Sequence, residues 1–289
     1  MPEQRKPTNA ELDGWGMSHI GRVRSLNQDT FVLATLRKNL VVAATNLPAS
    51  SFPEDVDDRI ATLGAVADGI GSGVGGEEAS RVAVEHMMKY VAFARHCYET
   101  HDPDGEEFAE ALQRAAVACH AELLGRRHAD PGLTGLATTL TLLLGVWPWV
   151  YLLQVGDSRY YLFRDGVLTQ VTRDQTHAQE LVDLGVLSRS EAHRSMLANI
   201  LSSAVGGQQI APVVTRVRSD WRNTHLLCSD GLTKHVPDEK IAERLRTMTS
   251  AKQCCEQLVQ DALDDGGTDN VTVLIGRAVP RSGAPGRAR

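Results

Sequence analysis

Four aspartates share one local setting, and that setting suits metal-assisted chemistry. Asp29 stands in Asn27-Gln28-Asp29, just ahead of a run with strand character. Asp68 follows the apolar run Leu63-Gly64-Ala65-Val66-Ala67 and precedes Gly69. Asp230 follows His225-Leu226-Leu227-Cys228 in Ser229-Asp230-Gly231. Asp269 lies in Gly266-Gly267-Thr268-Asp269-Asn270, directly before the run Val271 to Ile275. Acids at strand ends can gather at one edge of a sheet, and a neighbouring glycine lets a backbone carbonyl approach an ion closely. Oxygen-only ligand sets favour magnesium or manganese over zinc or copper. Two such ions about 3.5–4 Å apart would activate a water and stabilise an in-line displacement at phosphorus. Taken singly, such an acid is more often a turn residue than a ligand, since Asp-Gly is common turn chemistry.

Other ligand classes are poorly represented. The ten histidines include no HExxH and no HxH. The cysteines Cys97, Cys119, Cys228, Cys254 and Cys255 show no CxxC and no zinc spacing. None is followed by the Cys-x5-Arg spacing of a cysteine nucleophile. Their odd number points to reduced thiols and a cytoplasmic location. The formal net charge is −6, with no long run of one sign. That balance argues against a nucleic-acid or membrane-surface partner, and so against a nuclease. The polar start MPEQRKPTNAELDG does not read as a signal peptide. The longest apolar stretch, Leu140 to Val155, is interrupted by Gly145 and Pro148 and is too short to span a bilayer.

The elements that must position the acids follow from periodicity. Residues 1–12 are polar and are expected to be flexible, residues 13–278 form one domain, and residues 279–289 make a disordered Pro/Gly/Arg tail. Trp15 to Ile20 and Thr30 to Thr35 read as strands, with Leu40 to Thr45 as a partner and an exposed loop over residues 46–60. The run from Leu63 is expected to stop at Asp68, followed by a glycine-rich turn. Glu77 to Tyr98 and Glu106 to Leu124 carry apolar residues at helical spacing and should form an antiparallel helix pair. Leu136 to Leu144, Trp149 to Val155, Tyr160 to Phe163 and Val167 to Val171 are consecutive β-rich runs, which predicts an antiparallel meander. Residues 174–206 turn polar and helical, with Leu181, Leu184 and Leu187 as anchors. Strands are expected at Val213 to Val217, His225 to Cys228 and Val271 to Ile275, and helices at Ile241 to Met248 and Cys254 to Leu263.

The ordered motifs together resemble those of the metal-dependent PP2C-type (PPM) protein serine/threonine phosphatases, in their compact bacterial form. The stretches that carry the resemblance are GRVRSLNQD (21–29), VADGIGSGVGGEEAS (66–80), GLATTLTLLL (135–144), VGDSRYYLFRDG (155–166), LCSDGLTKHV (227–236) and GGTDNVTVLIG (266–276). They run from about Trp15 to Arg277. The resemblance implies an α/β/β/α sandwich, with two antiparallel sheets face to face and helix pairs outside. It implies that Asp68 bridges two Mn²⁺ or Mg²⁺ ions and that the Gly69 carbonyl binds one of them. Asp230 and Asp269 would bind the other, and Asp29 would act through metal-bound water. Arg24 would grip the substrate phosphate, and Asp157, in Gly156-Asp157-Ser158-Arg159, would hold a third, weaker ion.

The implied activity is hydrolysis of phosphoserine and phosphothreonine in proteins, opposing a bacterial Ser/Thr kinase, by a monomer without nucleic-acid or membrane partners. A pseudophosphatase that binds phosphoproteins without turnover is the alternative. The chain departs from the family pattern at Gln28, where many members carry a carboxylate, and at Ile70, where members carry His or Met. It departs again at Ser72 and Gly73, and residues 37–60 are longer than the usual link.

Overall fold

The structure, a computed structural model, describes residues 5–37, 59–71, 74–93, 106–130 and 135–280. Its strands are β1 (Leu12–His19), β2 (Asp29–Arg37), β3 (Arg59–Ile70), β4 (Ala137–Thr138), β5 (Leu140–Val146), β6 (Trp149–Val155), β7 (Arg159–Arg164), β8 (Val167–Gln170), β9 (Val213–Arg218), β10 (Thr224–Cys228) and β11 (Val271–Ala278). Its helices are α1 (Val74–Phe93), α2 (Glu106–Ala129), α3 (His177–Asp183), α4 (Arg189–Arg194), α5 (Asp230–Thr233), α6 (Asp238–Thr247) and α7 (Ala251–Asp264).

One five-stranded sheet has the order β1-β11-β10-β7-β8. A six-stranded sheet has the order β2-β3-β5-β6-β9, with β4 attached to β3. The described pairings are antiparallel.

Period-two alternation assigns the strand residues to three buried layers. On β3, Ala61, Leu63, Ala65 and Ala67 face α1 and α2, while Val66 faces the other sheet. On β6, Tyr151, Leu153 and Val155 take the helix side, and Val150 and Leu152 the inter-sheet side. On β11, Val271, Val273 and Ile275 pack against α6 and α7, and Leu274 turns inward. Strands covered on both faces must be apolar throughout, which is why these runs show little polar alternation. The result is the expected α/β/β/α sandwich. The α1 and α2 helices run antiparallel, because Arg126 late in α2 meets Glu78 early in α1 at 3.0 Å and His86 meets Glu122 at 2.8 Å.

Several expectations change. The consecutive β-rich runs do not form one meander. β5 and β6 pair in one sheet and β7 and β8 in the other, so the chain changes sheets at Gly156-Asp157-Ser158. Alternation cannot reveal this, because both sheets bury both faces. β3 does not stop at Asp68 but continues to Ile70, and α1 begins at Val74 rather than Glu77. The partner of β2 is β3, whereas Leu40 to Thr45 and residues 46–58 of the predicted loop 46–60 lie outside the described residues; its last two residues, Arg59 and Ile60, are not loop but the start of β3. So do the last residues of the first predicted helix, the end of the tail from residue 281, and Ser72 and Gly73.

The described part of the N-terminus, expected to be loose, is tied down. Arg5 pairs with buried Glu11 at 2.7 Å, the Trp221 indole donates to the Arg5 carbonyl at 2.9 Å, and the Val279 N–H donates to the Glu11 carbonyl at 2.7 Å. Leu184 is not an anchor of the 174–206 excursion, being 75% exposed, whereas Ala178 is buried. The excursion is instead closed at its base, where the His177 N–H donates to the Ile200 carbonyl and the Ser202 N–H to the Gln175 carbonyl, both at 2.9 Å. No helix among the described residues is long and apolar enough to cross a membrane.

Candidate functional site

The topology brings one end of β2, β3, β10 and β11 to a common edge, together with the sheet-switching turn at Asp157. Asp29 is the first residue of β2 and lies directly opposite Asp68 in the β2–β3 register. Asp230 opens α5 just beyond β10, and Asp269 precedes β11, the strand that neighbours β10. Each acid is thus delivered by a different element.

Two glycines allow the close approach. A Cβ on Gly231 would lie 1.9 Å from the Asn270 carbonyl oxygen, so only glycine lets the Asp230 turn meet the Asp269 loop. A Cβ on Gly69 would lie 2.2 Å from the Gly76 carbonyl oxygen, where the first turn of α1 crosses β3. Gly76, late in the glycine-rich run after Asp68, therefore belongs to a helix start pressed against the strand.

Neutral side chains fix the acids. The Ser229 hydroxyl donates to Asp29 Oδ2 at 2.8 Å and the Thr272 hydroxyl donates to the same oxygen at 2.6 Å. The Asp68 N–H donates to Thr139 Oγ1 at 3.0 Å, and its carbonyl accepts from Thr138 Oγ1 at 2.8 Å. Thr139 Oγ1 is also 2.8 Å from Ser158 Oγ, which links Asp68 to the turn bearing Asp157. Asn270 Nδ2 donates to the carbonyls of Ile20 and Leu26, both at 2.9 Å, and the Gln28 N–H donates to Asn270 Oδ1 at 2.9 Å. Asn270 thereby holds the loop that carries Arg24. His235 accepts the Thr268 N–H at 3.0 Å through Nε2 and faces Asp265 at 3.0 Å through Nδ1, which fixes the loop before Asp269.

The charges crowd. Burial pushes the Asp29 carboxyl up to about 6, although hydrogen bonds from Thr272 and Ser229 oppose the rise and Asp230 and Asp269 add to it. Asp68 rises well above the ordinary range through burial and then through Asp29, Asp230, Asp157 and Asp269. Asp157 rises likewise through burial, then Asp230 and Asp174, with Lys234 opposing. Asp269 goes the other way: burial disfavours its charge, but Lys234 and Arg24 outweigh burial and hold it below the ordinary carboxylate range.

Arg24 forks onto Asp269, with Nε 2.8 Å from Oδ1 and one terminal nitrogen 3.0 Å from Oδ2. Arg22 does not join the site. Its Nε donates to the Leu263 carbonyl at 2.7 Å, and its guanidinium reaches Asp264 at 3.6 Å.

The structure thus brings Arg24, Asp29, Asp68, Gly69, Asp157, Asp230 and Asp269 to one edge. It adds Lys234, whose Nζ lies 2.6 Å from Asp230 Oδ2 and 2.8 Å from Asp269 Oδ2. Sequence reasoning missed Lys234. The signal was its place four residues after Asp230, where a helical turn returns a side chain to the same face. Ser229, Thr272, Thr138, Thr139 and Asn270 were also missed as positioning residues, although each lies within a motif stretch.

The donor set suits a hard divalent cation. It is all oxygen, and two buried carboxylate oxygens, Asp29 Oδ1 and Asp230 Oδ1, have no hydrogen-bond partner among the described residues. Among the described residues, no three His, Cys, Asp or Glu side chains stand, as placed, close enough together to hold a metal ion. Lys234 and Arg24 take up part of the acidic charge instead.

Comparison with known proteins identifies the family. Residues 52–266 match the sequence model of the family described as protein phosphatase 2C. The chain is 35% identical over 219 residues to the serine/threonine protein phosphatase PstP of Mycobacterium tuberculosis H37Rv, an alignment covering 76% of this chain and 41% of that relative. The chain therefore spans less than half of that relative's length. It is 33% identical over 211 residues to the serine/threonine phosphatase stp of Listeria monocytogenes, covering 73% of this chain and 82% of that protein. The catalytic domain of PstP, solved in complex with two manganese ions, superposes with a TM-score of 0.72 at 32% identity, covering 93% of this chain and 99% of that one. The sandwich, the ordered acids and a family match over most of its length agree: this chain belongs to the protein phosphatase 2C family.

Proposed function

We propose that this chain hydrolyses phosphoserine and phosphothreonine in proteins, with Mn²⁺ or Mg²⁺ held at the acidic edge, and that it opposes a Ser/Thr protein kinase. The observation that carries the reading is the convergence of five aspartates around two unpartnered buried carboxylate oxygens. Bound at such a site, two divalent ions would supply Lewis acidity and an activated water for in-line attack on phosphorus. The manganese-bound relative supports that choice of ion.

The residues divide the work. Asp68, at the centre of the acidic cluster, would be the principal carboxylate holding metal, helped by the Gly69 carbonyl. Asp230 and Asp269 would hold metal as well. Asp157 stands beside Asp230 and would take a further ion. Asp29 keeps one oxygen occupied by Ser229 and Thr272 and offers the other. Arg24 lies 48% exposed at the rim, where a guanidinium can pair with two phosphate oxygens once it leaves Asp269. Ile70 has no proton to give, so the proton for the leaving serine or threonine oxygen must come from another donor.

Release of phosphate from a phosphothreonine peptide tests the reading. The expected result is turnover with added Mn²⁺ that is abolished by EDTA and restored by excess metal. Full turnover after exhaustive chelation would overturn it. The alternative, a phosphoprotein-binding module without turnover, gains one specific support: Lys234 and Arg24 already neutralise part of the acidic set. Peptide binding without phosphate release at saturating Mn²⁺ would favour that alternative.

A further inference from the structure

The Lys234 ammonium bridges the two carboxylates, Asp230 and Asp269, that the proposed function assigns to metal. We infer that Lys234 is a tethered counter-ion that competes with the divalent cation for these carboxylates and thereby sets how much metal this chain needs. The inference rests on the reading that Asp230 and Asp269 take a metal.

Local structure explains how the lysine reaches this place. The Lys234 N–H donates to the Asp230 carbonyl at 2.8 Å, so the short helix α5 fixes the lysine backbone one turn after the aspartate. From there the side chain folds back over Asp230 and spans to Asp269. The pairing answers a physical demand. Acids this close repel one another, and burial raises the cost of their charge. With Asp230 Oδ1 unpartnered and Asp269 also held by Arg24, Lys234 is the cation placed between the two sites.

The same contact opposes a metal. An ammonium and a divalent ion cannot both sit against the same carboxylate oxygens without strong repulsion. Lysine suits a displaceable role better than arginine would. Its single charge rides on a flexible four-carbon stem, and its side chain is 34% exposed, so the ammonium has a route to water. Arginine would hold both oxygens of a carboxylate in a rigid fork. Metal binding therefore exchanges an internal cation for an external one, and the exchange weakens apparent affinity.

Calorimetric titration with Mn²⁺ of the whole chain, wild type beside Lys234→Met, Lys234→Arg and Arg22→Met, tests this. Lys234→Met keeps the length and removes the charge. It should tighten Mn²⁺ binding at least about tenfold, which corresponds to roughly 1.4 kcal/mol. It should also melt at a lower temperature than wild type in EDTA, because the paired acids lose their counter-ion. Arg22→Met removes a nearby cation that touches none of the acids of the site, and it should change affinity far less. Lys234→Arg should bind no tighter than wild type.

Equal affinity of wild type and Lys234→Met would overturn competition while leaving the metal site intact. An equal gain in Arg22→Met would overturn it too, by showing a general field effect. Absence of Mn²⁺ binding in every variant would overturn the metal reading itself. A second measurement needs no variant for its readout. In protein labelled with ¹³C at lysine Cε, the Lys234 signal should narrow as Mg²⁺ saturates the site and the side chain is released. An unchanged signal at saturation would show that the ammonium stays on its carboxylates and would overturn the inference.

Discussion

Asp29 and Asp68 face each other across the β2–β3 ladder, at the end of the pairing that carries both into the site. Directly opposed residues of antiparallel strands bring their Cβ atoms within about 4.5–5.5 Å, where like charges destabilise the sheet. Both carboxyls are pushed upward by burial, and Asp29 has an unpartnered oxygen. The ladder therefore builds a repulsive pair into the framework, and a proton or a divalent cation relieves it.

Neutralising the centre of that cluster should separate stability from activity. Asp68→Asn is expected to melt higher than wild type in EDTA, since one repelling charge is gone. It should lose most of the stabilisation that Mn²⁺ gives wild type, and its turnover of phosphopeptide should fall by far more than tenfold, a barrier change of more than ~1.4 kcal/mol. Melting curves with and without Mn²⁺, with phosphate release alongside, check both halves. Retention of a tenth or more of the activity would remove Asp68 from its assigned role.

The raised Asp29 carboxyl makes a signed pH prediction for the metal-free protein. Its unfolded value is near 3.8 and its folded value about 6. Below about pH 4 both states are protonated and the group has no effect on stability. Between about pH 4 and 6 the unfolded chain has lost the proton and the folded one still holds it, so this group's contribution to stability declines as pH rises. Above about pH 6 the full penalty, on the order of 3 kcal/mol, is present. The stability of Asp29→Asn minus that of wild type, measured by urea unfolding in EDTA, should grow across that window. A difference independent of pH would show that Asp29 is not the strained group.

Gly231 is the tightest contact at the site. A methyl group there would sit 1.9 Å from the Asn270 carbonyl oxygen, and that oxygen is backbone with no freedom to rotate away. Gly231→Ala should destabilise the fold by about 3 kcal/mol or more through forced separation of the Asp230 turn from the Asp269 loop. Denaturant unfolding gives the cost, and Mn²⁺ titration of the folded fraction should show weakened binding. Wild-type stability and affinity in this variant would contradict the close approach.

Arg24 and Arg22 separate a phosphate contact from a structural one. Arg24→Ala should raise KM for phosphopeptide, with a loss in kcat/KM on the order of 1.5–3 kcal/mol. Arg22→Ala, which gives up a bond to the Leu263 carbonyl, should cost stability more than catalysis. Asn270→Ala should resemble Arg24→Ala in kinetics, because the loop bearing Arg24 loses the bonds to Ile20 and Leu26. Steady-state kinetics on all three decides it. Damage confined to Arg22→Ala would move the phosphate contact to that residue.

The 174–206 excursion presents Leu184, Val186, Met196 and Ile200 to solvent while its base is tied to the sheet-switching turn. Exchanging it for a segment of different sequence should change preference among phosphopeptides and leave hydrolysis of a small aryl phosphate nearly unchanged. Equal losses on both substrates would mark it as scaffold.

The sequence by itself determined which residues could do the chemistry and which local element carries each. Asp68, Asp230 and Asp269 announce themselves through glycine neighbours and flanking apolar runs, because the backbone geometry that lets an acid leave a strand end is a local property. The long helices were legible for the same reason, since their period is written in nearest neighbours. Tertiary structure decided what depends on distant partners. The change of sheet at Asp157 was invisible because both sheets are buried on both faces, so their strands carry the same apolar signature. The hydroxyls of Ser229 and Thr272 reach Asp29 across 200 or more residues of chain, and no local pattern marks them as its partners. Lys234 lay within a motif, yet its charge gained meaning only when β10 and β11 became neighbours and set Asp230 beside Asp269. A contact between side chains from separate elements is a property of the folded sheet order, and that order follows from burying all the apolar faces at once.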